Sequence, residues 1–158
     1  MRRHVYYYTH LGKPTQGLPT DEAFMAGPEQ WLPPPSLLTR EGWLVDLHAD
    51  GVLLPPIALQ RAEVQVGPAI SSPSGLVRSV SWHATRADRL FPVLSGELEL
   101  APLPVEGWQL SLAGTYRPPL SVVGGTADRV LGHRVAEACV RRFVLDVAER
   151  LTPATLPV

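Results

Sequence analysis

Three consecutive segments in the middle of the chain alternate apolar and polar positions with a period of two. The apolar positions are Leu76, Val80, Trp82 and Ala84 in residues 75–86, Leu94, Leu98 and Leu100 in residues 91–103, and Trp108, Leu110, Leu112 and Tyr116 in residues 107–117. This period is typical of a β-strand with one buried face. Because the links between the segments are short, we expect an antiparallel meander with one solvated face.

Further strands are indicated on the N-terminal side of this meander. Residues 4–11 are rich in aromatic and branched side chains, and residues 42–49 and 57–67 have the same character. Between the first and second of these strands we expect a short helix over "DEAFMAG", which Thr20 or Asp21 would cap. Prolines and glycines between the segments mark the connections.

The C-terminal segment, residues 131–151, has the period of an amphipathic helix. One row of apolar side chains comprises Leu131, Val135, Cys139, Phe143, Val147 and Leu151, and a neighbouring row comprises Ala136, Val140, Val144 and Ala148. Glu137 with Arg141, and Asp146 with Arg150, have the spacing of ion pairs along the helix. Burying six such apolar side chains contributes on the order of 10 to 20 kcal/mol before entropy is subtracted. The helix is therefore expected to cover the apolar face of the sheet.

Four stretches carry a resemblance to a known superfamily: "VYYYTHL", "DEAFMAGPEQWLPP", "GWQLSLAGTYRPPL" and "ADRVLGHRVAEACVRRFVLDVAERL". Their order resembles the START-like (SRPBCC, polyketide cyclase-like) helix-grip superfamily over nearly the whole chain. The resemblance implies an α+β fold in which a curved antiparallel sheet wraps around a long C-terminal helix. Cone-shaped nuclear-transport-factor-like domains place most of their helices before the strands instead. Lipocalins end in a helix after a closed barrel of eight strands, which is more strands than the sequence indicates.

The resemblance also implies a cavity between sheet and helix that holds an apolar or amphipathic molecule. The expected lining is Trp43, Arg78, Val80, Trp82, Leu98, Leu110, Leu112, Tyr116, Val135, Cys139 and Phe143. An empty cavity of about 300 Å³ would cost on the order of 7 kcal/mol, so it must be filled. Either a ligand with water fills it, or Trp43, Trp82, Trp108 and Phe143 do.

Two polar residues occupy strand positions that point to the same face as the apolar side chains, and they are candidates for a chemical role. Arg78 would either anchor a carboxylate or enolate, or extend its head into water from a strand end. Tyr116 would either donate a hydrogen bond to a bound carbonyl, or pack in the core with its hydroxyl reaching solvent. No nucleophile with a neighbouring base is indicated by spacing, so catalytic residues stay unassigned and enzymatic activity stays open.

Asp46, His48 and Asp50 alternate along one strand and could share a side, as metal ligands would. A solvated face explains the same alternation, and it also explains His83 between Ser81 and Thr85. We expect this second explanation to hold, and thus neither a metal nor another cofactor.

The composition narrows the classes of partner. Fourteen basic and fifteen acidic residues leave a net charge of −1 without a block of like charge, which argues against nucleic acid. No apolar run reaches the roughly 20 residues that cross a bilayer, and no apolar stretch follows Met1, so we expect a cytoplasmic protein. Cys139, the one cysteine, is expected to be a buried apolar residue rather than a nucleophile. Residues 1–158 are expected to form a single domain.

Three functions follow from this pattern. The first is binding of a hydrophobic or amphipathic small molecule between sheet and helix. The second is a polyketide cyclase-like or aromatase-like enzyme that uses Arg78 and Tyr116. The third is a non-catalytic interaction module with a filled core, whose partners meet the outer face or a homodimer interface.

Overall fold

The computed structural model describes residues 3–12, 19–34, 36–49, 59–85, 93–117 and 126–152. In chain order the strands are β1 (Arg3–Leu11), β2 (Leu37–Leu38), β3 (Trp43–His48), β4 (Leu59–Val66), β5 (Ile70–Ser72), β6 (Gly75–Ala84), β7 (Val93–Pro102) and β8 (Trp108–Arg117). Helix α1 (Thr20–Met25) and a 3-10 turn (Pro28–Gln30) follow β1, and the long helix α2 (Thr126–Leu151) comes last.

All the described strands belong to one curved antiparallel sheet. Their order is β1-β8-β7-β6-β4-β3-β2, and β5 pairs with β6 beside this path. The meander and the three N-terminal strands are confirmed at nearly the predicted bounds. The predicted strand ends at residues 57–58, 86 and 91–92 lie outside the described residues.

Helix α2 covers the apolar face of the sheet and contacts β1, β3 and β8. The residues of α2 that are buried follow the two predicted rows: Val135, Ala136, Cys139, Val140, Phe143, Val144, Val147, Ala148 and Leu151. Leu131 lies outside the described side chains. The buried side chains of the sheet and the helix form one hydrophobic cluster, so the helix is part of the core.

Two glycines mark a close approach at the centre of the sheet. Gly96 on β7 lies directly opposite Gly114 on β8. A Cβ atom on Gly96 would lie 2.5 Å from the carbonyl oxygen of Ala113, and one on Gly114 would lie 2.6 Å from that of Ser95. Side chains at these positions would force the strands apart, which is a reason for glycine within a strand.

The start of α1 differs from the prediction. Pro19 occupies the N-cap position, no side chain makes a capping hydrogen bond, and Thr20 is the first helical residue. The expectation that Thr20 or Asp21 caps this helix was wrong. Pro19 has an extended conformation directly before the first turn, so the helix begins at Thr20. The side chain of Thr20 is buried. Of the helices described, none is both long enough and apolar enough to span a membrane.

Candidate functional site

The structure brings most of the predicted lining residues together between the sheet and α2. Ten of the eleven are buried: Arg78, Val80, Trp82, Leu98, Leu110, Leu112, Tyr116, Val135, Cys139 and Phe143. Trp43 is half-buried and packs against the same cluster from β3. Trp82 joins the two layers directly, because its ring lies 5.1 Å from that of Phe143, centroid to centroid.

A lateral row of inward-facing residues runs across the sheet near the end of β8. Tyr116 lies opposite Leu94, and Leu94 lies opposite Trp82. On the other side of Tyr116 the register places Arg3 of β1 directly opposite it. The row therefore changes from apolar at Trp82 and Leu94 to polar at Tyr116 and Arg3.

The polar end of this row is connected to helix α2. The Tyr116 hydroxyl lies 2.6 Å from Nδ1 of His133, and Nε2 of His133 lies 2.8 Å from Oε1 of Glu137. A carboxylate accepts a hydrogen bond from the Nε2–H group, so in a neutral imidazole Nδ1 is left to accept the proton of the Tyr116 hydroxyl. Tyr116 itself is 1% exposed, whereas the side chains of His133 and Glu137 are 40% and 59% exposed. The three groups form a hydrogen-bonded chain from the core to the surface.

The environment keeps the phenol of Tyr116 protonated at neutral pH. Burial raises its pKa above the usual value, the charge and hydrogen bond of Arg3 lower it, and the charge of Glu137 raises it further, with a net upward shift. A phenol in this state donates its hydrogen bond to Nδ1 of His133. Its oxygen can also accept a hydrogen bond from another molecule.

Trp82 provides a second polar group within the apolar part of the row. Its Nε1–H is buried and has no hydrogen-bond partner in the described part of the chain. Nearly all buried polar groups in proteins have a partner. The indole is therefore available as a donor to an oxygen acceptor near the contact between Trp82 and Phe143.

Arg78 has a different environment from either of the two that were considered. Its Nε donates to the carbonyl of Phe24 at 3.0 Å, and its Nη2 donates to those of Met25 and Ala26 at 2.9 Å each. Its Nη1 donates to the carbonyl of Gly67 at 2.8 Å. These carbonyls include the last, otherwise unpaired ones of α1, where a cation is also favoured by the helix dipole.

Aromatic rings complete the surroundings of Arg78. The guanidinium carbon lies 5.7 Å from the ring centroids of both Phe24 and Trp31, and these two rings stack on each other. The idea that the head of Arg78 extends into water was therefore wrong, since the residue is 6% exposed. Burial lowers the pKa of its guanidinium, which nevertheless stays charged at neutral pH. Its bonds fasten α1 to the sheet without a ligand.

Polar and buried residues alternate along β3, and His48 at the end of this strand lies near enough to Asp146 of α2 to interact with it electrostatically. Asp46 and His48 alternate with the buried Val45 and Leu47, and Oδ1 of Asp46 lies 3.4 Å from Nε of Arg61. Asp50 lies outside the described residues. Within the described ranges, no three potential ligands are grouped so that they could hold a metal ion.

The ion pairs on α2 run in the opposite direction to those predicted. Glu137 pairs with His133 rather than with Arg141, and Asp146 pairs with Arg142 at 3.1 Å rather than with Arg150. Each acid thus contacts the base one turn before it. His133 was not among the predicted site residues, although its spacing of four from Glu137 was a usable signal.

No protein-family profile and no curated protein matches the sequence. Among solved structures, the chain is similar to protein Ms6760 from Mycobacterium smegmatis, with 13% sequence identity and a TM-score of 0.52 over 98% of this chain and 93% of that one. The fold is a helix-grip fold. The chain is more weakly similar to truncated norcoclaurine synthase from Thalictrum flavum, with 7% identity and a TM-score of 0.47 over 98% and 96% of the two chains. An uncharacterized protein from Rhizobium leguminosarum has 13% identity and a TM-score of 0.43 over 96% and 95%.

Proposed function

We propose that the chain is a START-like domain that binds an amphipathic small molecule between the sheet and α2. The apolar body of the molecule lies along Trp82, Leu94 and Phe143, and its polar end, a hydroxyl, donates a hydrogen bond to the oxygen of Tyr116. The observation that carries this proposal is the position of the Tyr116 hydroxyl inside the apolar face, linked by His133 to Glu137.

The rest of the proposed lining consists of strand residues that point toward α2 and of residues in the two buried rows of α2. We assign to it Trp43, Val80, Trp82, Leu98, Leu110, Leu112, Tyr116, Val135, Cys139 and Phe143. Arg78 is left out of this proposed lining because four of its N–H groups already donate to main-chain carbonyls.

A pair of nearly isosteric probes tests the polar end of the site. 2-Naphthol and 2-methylnaphthalene share their ring system and differ by a hydroxyl in place of a methyl group. One additional hydrogen bond is worth about 1 kcal/mol, so we expect the full chain to bind 2-naphthol about fivefold more tightly. Quenching of tryptophan fluorescence measures both affinities, because Trp82 lies beside the proposed site.

Matched variants separate the two parts of the proposal. Tyr116→Phe should bind both probes with equal affinity, whereas Tyr8→Phe, which changes an exposed tyrosine on the outer face, should keep the preference for 2-naphthol. Failure of the wild-type chain to bind either probe would refute a ligand-binding function. Equal binding of both probes by the wild type would refute the role of Tyr116 alone.

A cyclase-like or aromatase-like enzyme is the second candidate, and the hydrogen-bonded chain of Tyr116, His133 and Glu137 favours it. In such an enzyme Tyr116 gives its proton to the oxygen of a bound enolate, and an imidazolium at His133 replaces that proton through Nδ1. 1-Phenylbutane-1,3-dione is a suitable probe because its enolate absorbs in the near ultraviolet. We expect the bound spectrum of this diketone to change in Tyr116→Phe, and an unchanged spectrum would count against the acid–base role.

A further inference from the structure

Strand β1 is a long strand at the edge of the sheet, and β8 is its only partner among the described strands. It pairs along its nine residues with β8 in continuous register and stands at the end of the strand order. Half of the main-chain groups of an edge strand point away from the sheet and can pair with another strand. Residues 4–11 contain no proline and no lysine, which are residues that commonly prevent such pairing.

A shallow groove follows this edge. Its volume is about 630 Å³, and the described residues that line it are the consecutive Tyr6, Tyr7, Tyr8, Thr9 and His10. Successive residues of a strand point to opposite faces. Because residues of both faces line this groove, it runs along the main-chain edge of β1 and not over one face of the sheet. No residue of β8 lines it, so it lies on the side of β1 away from β8.

Exposed aromatic rings border this groove on the outer face. Tyr6 is 57% exposed and Tyr8 is 51% exposed, and their ring centroids are 6.0 Å apart. The ring of His10 continues the series at 5.6 Å from Tyr8. Aromatic side chains in this position stabilise a sheet when they lie opposite aromatic side chains of a neighbouring strand.

The sequence of this edge reads nearly the same in both directions. Residues 4–10 are His-Val-Tyr-Tyr-Tyr-Thr-His, in which Val5 and Thr9, both β-branched, occupy equivalent positions about Tyr7. In an antiparallel pair centred on Tyr7, Tyr6 faces Tyr8 of the second strand and His4 faces its His10. A strand with this symmetry is complementary to itself, as a two-fold interface requires.

We propose that this edge of β1 binds the same edge of a second copy of this chain, with Tyr7 on the two-fold axis. The two sheets then continue into one another, and the outward tyrosines form two cross-strand aromatic pairs. Seven paired residues per copy bury less than the roughly 800 Å² per partner of a standard interface, so the dimer depends on concentration. This interface is separate from the proposed ligand site, which lies on the inward face.

Sedimentation velocity of the full chain tests the proposal through two double variants at exposed positions. Tyr6→Lys with Tyr8→Lys places lysine opposite lysine twice, and we expect the dimer dissociation constant to rise at least tenfold. Tyr6→Glu with Tyr8→Lys places glutamate opposite lysine twice in this register. We expect its dimer dissociation constant to stay within about threefold of the wild-type value. Far-ultraviolet circular dichroism checks that both variants are folded.

The remaining outcomes decide against the proposal. A wild-type chain that stays at the 17.2 kDa monomer mass at every concentration overturns it. If both double variants dimerise equally weakly, the register centred on Tyr7 is wrong. If both dimerise as tightly as the wild type, the interface lies elsewhere. None of these outcomes bears on ligand binding, which the naphthalene probes measure independently.

Discussion

The guanidinium of Arg78 donates to four main-chain carbonyls and thereby holds the end of α1 against the sheet. Arg78→Ala would leave these carbonyls without their charged donor and remove a buried side chain. We expect the free energy of unfolding to fall by about 3 kcal/mol or more. Arg78→Lys should recover only part of this loss, because an ammonium group lacks the planar spread of a guanidinium. Urea unfolding followed by tryptophan fluorescence measures both changes.

Arg61 is the matched control for this experiment. It also lies on an inner strand of the sheet, but its side chain is 52% exposed and its ion pair with Asp46 is solvated. Exposed pairs of this kind contribute about 0 to 1 kcal/mol, so Arg61→Ala should change stability by less than about 1 kcal/mol. Equal losses in the variants at positions 61 and 78 would contradict the anchoring role of Arg78.

Tyr116 should give the protein a characteristic dependence on alkaline pH. Because the pKa of its phenol is raised in the folded state, the folded protein holds this proton more strongly than the unfolded chain. The resulting stability is present below the unfolded pKa of about 10 and is lost as the pH rises through the folded pKa. We expect the urea midpoint of the wild type to fall more steeply above pH 10 than that of Tyr116→Phe.

Absorbance at 295 nm provides an independent check on the same group, because it follows tyrosine ionisation directly. The difference between the wild-type and Tyr116→Phe titrations should show one phenol that ionises above the usual tyrosine pKa of about 10. If that phenol ionised at or below the usual tyrosine pKa, the buried environment assigned to Tyr116 would be wrong.

The partners of these residues were harder to predict than their burial. The parity of β6 and β8 indicated that Arg78 and Tyr116 face inward, and that prediction is confirmed. The acceptors of Arg78 in α1, however, are more than 50 residues away in sequence, and no local pattern connects them. His133 is 17 residues from Tyr116 across a connection, so only the helical spacing of His133 and Glu137 was visible in the sequence.

Helix α2 contributes to stability mainly through its inward rows, and Phe143 is central among them. It is 1% exposed and packs against Trp82. Phe143→Ala should lower the free energy of unfolding by about 3 to 5 kcal/mol, since it removes buried contacts and leaves a cavity. Leu145→Ala on the same helix, where the side chain is 38% exposed, should cost less than about 1.5 kcal/mol. Urea unfolding distinguishes the two, and similar losses would mean that α2 is not docked through the predicted rows.

The long elements could be predicted because each has an apolar period that is repeated several times. The strands of ten residues and the 26-residue helix fall in this class. Strands β2 and β5, with two and three residues, were not predicted because so few positions cannot establish a period. The cap of α1 was mispredicted because side-chain preferences do not fix whether a helix begins at the first or second suitable residue.

The arrangement of the whole molecule separates two kinds of surface. The inward face of the sheet and α2 enclose the apolar cluster, with Tyr116 and Arg3 at its polar edge. The edge of β1 faces outward and carries no formal charge from residue 4 to residue 11 when its histidines are neutral. We therefore expect the proposed ligand binding and the proposed self-association to be altered independently, by substitutions at Tyr116 and at Tyr6 or Tyr8 respectively.

Native mass spectrometry of the full chain tests the central claim, that an amphipathic molecule is held between the sheet and α2. The sample is freshly purified protein, measured before and after incubation with 2-naphthol, and its denatured mass is the reference. We predict a bound mass above that of the 17.2 kDa chain which disappears on denaturation and which is reduced in Tyr116→Phe. Bare chain mass in both native measurements would contradict the account.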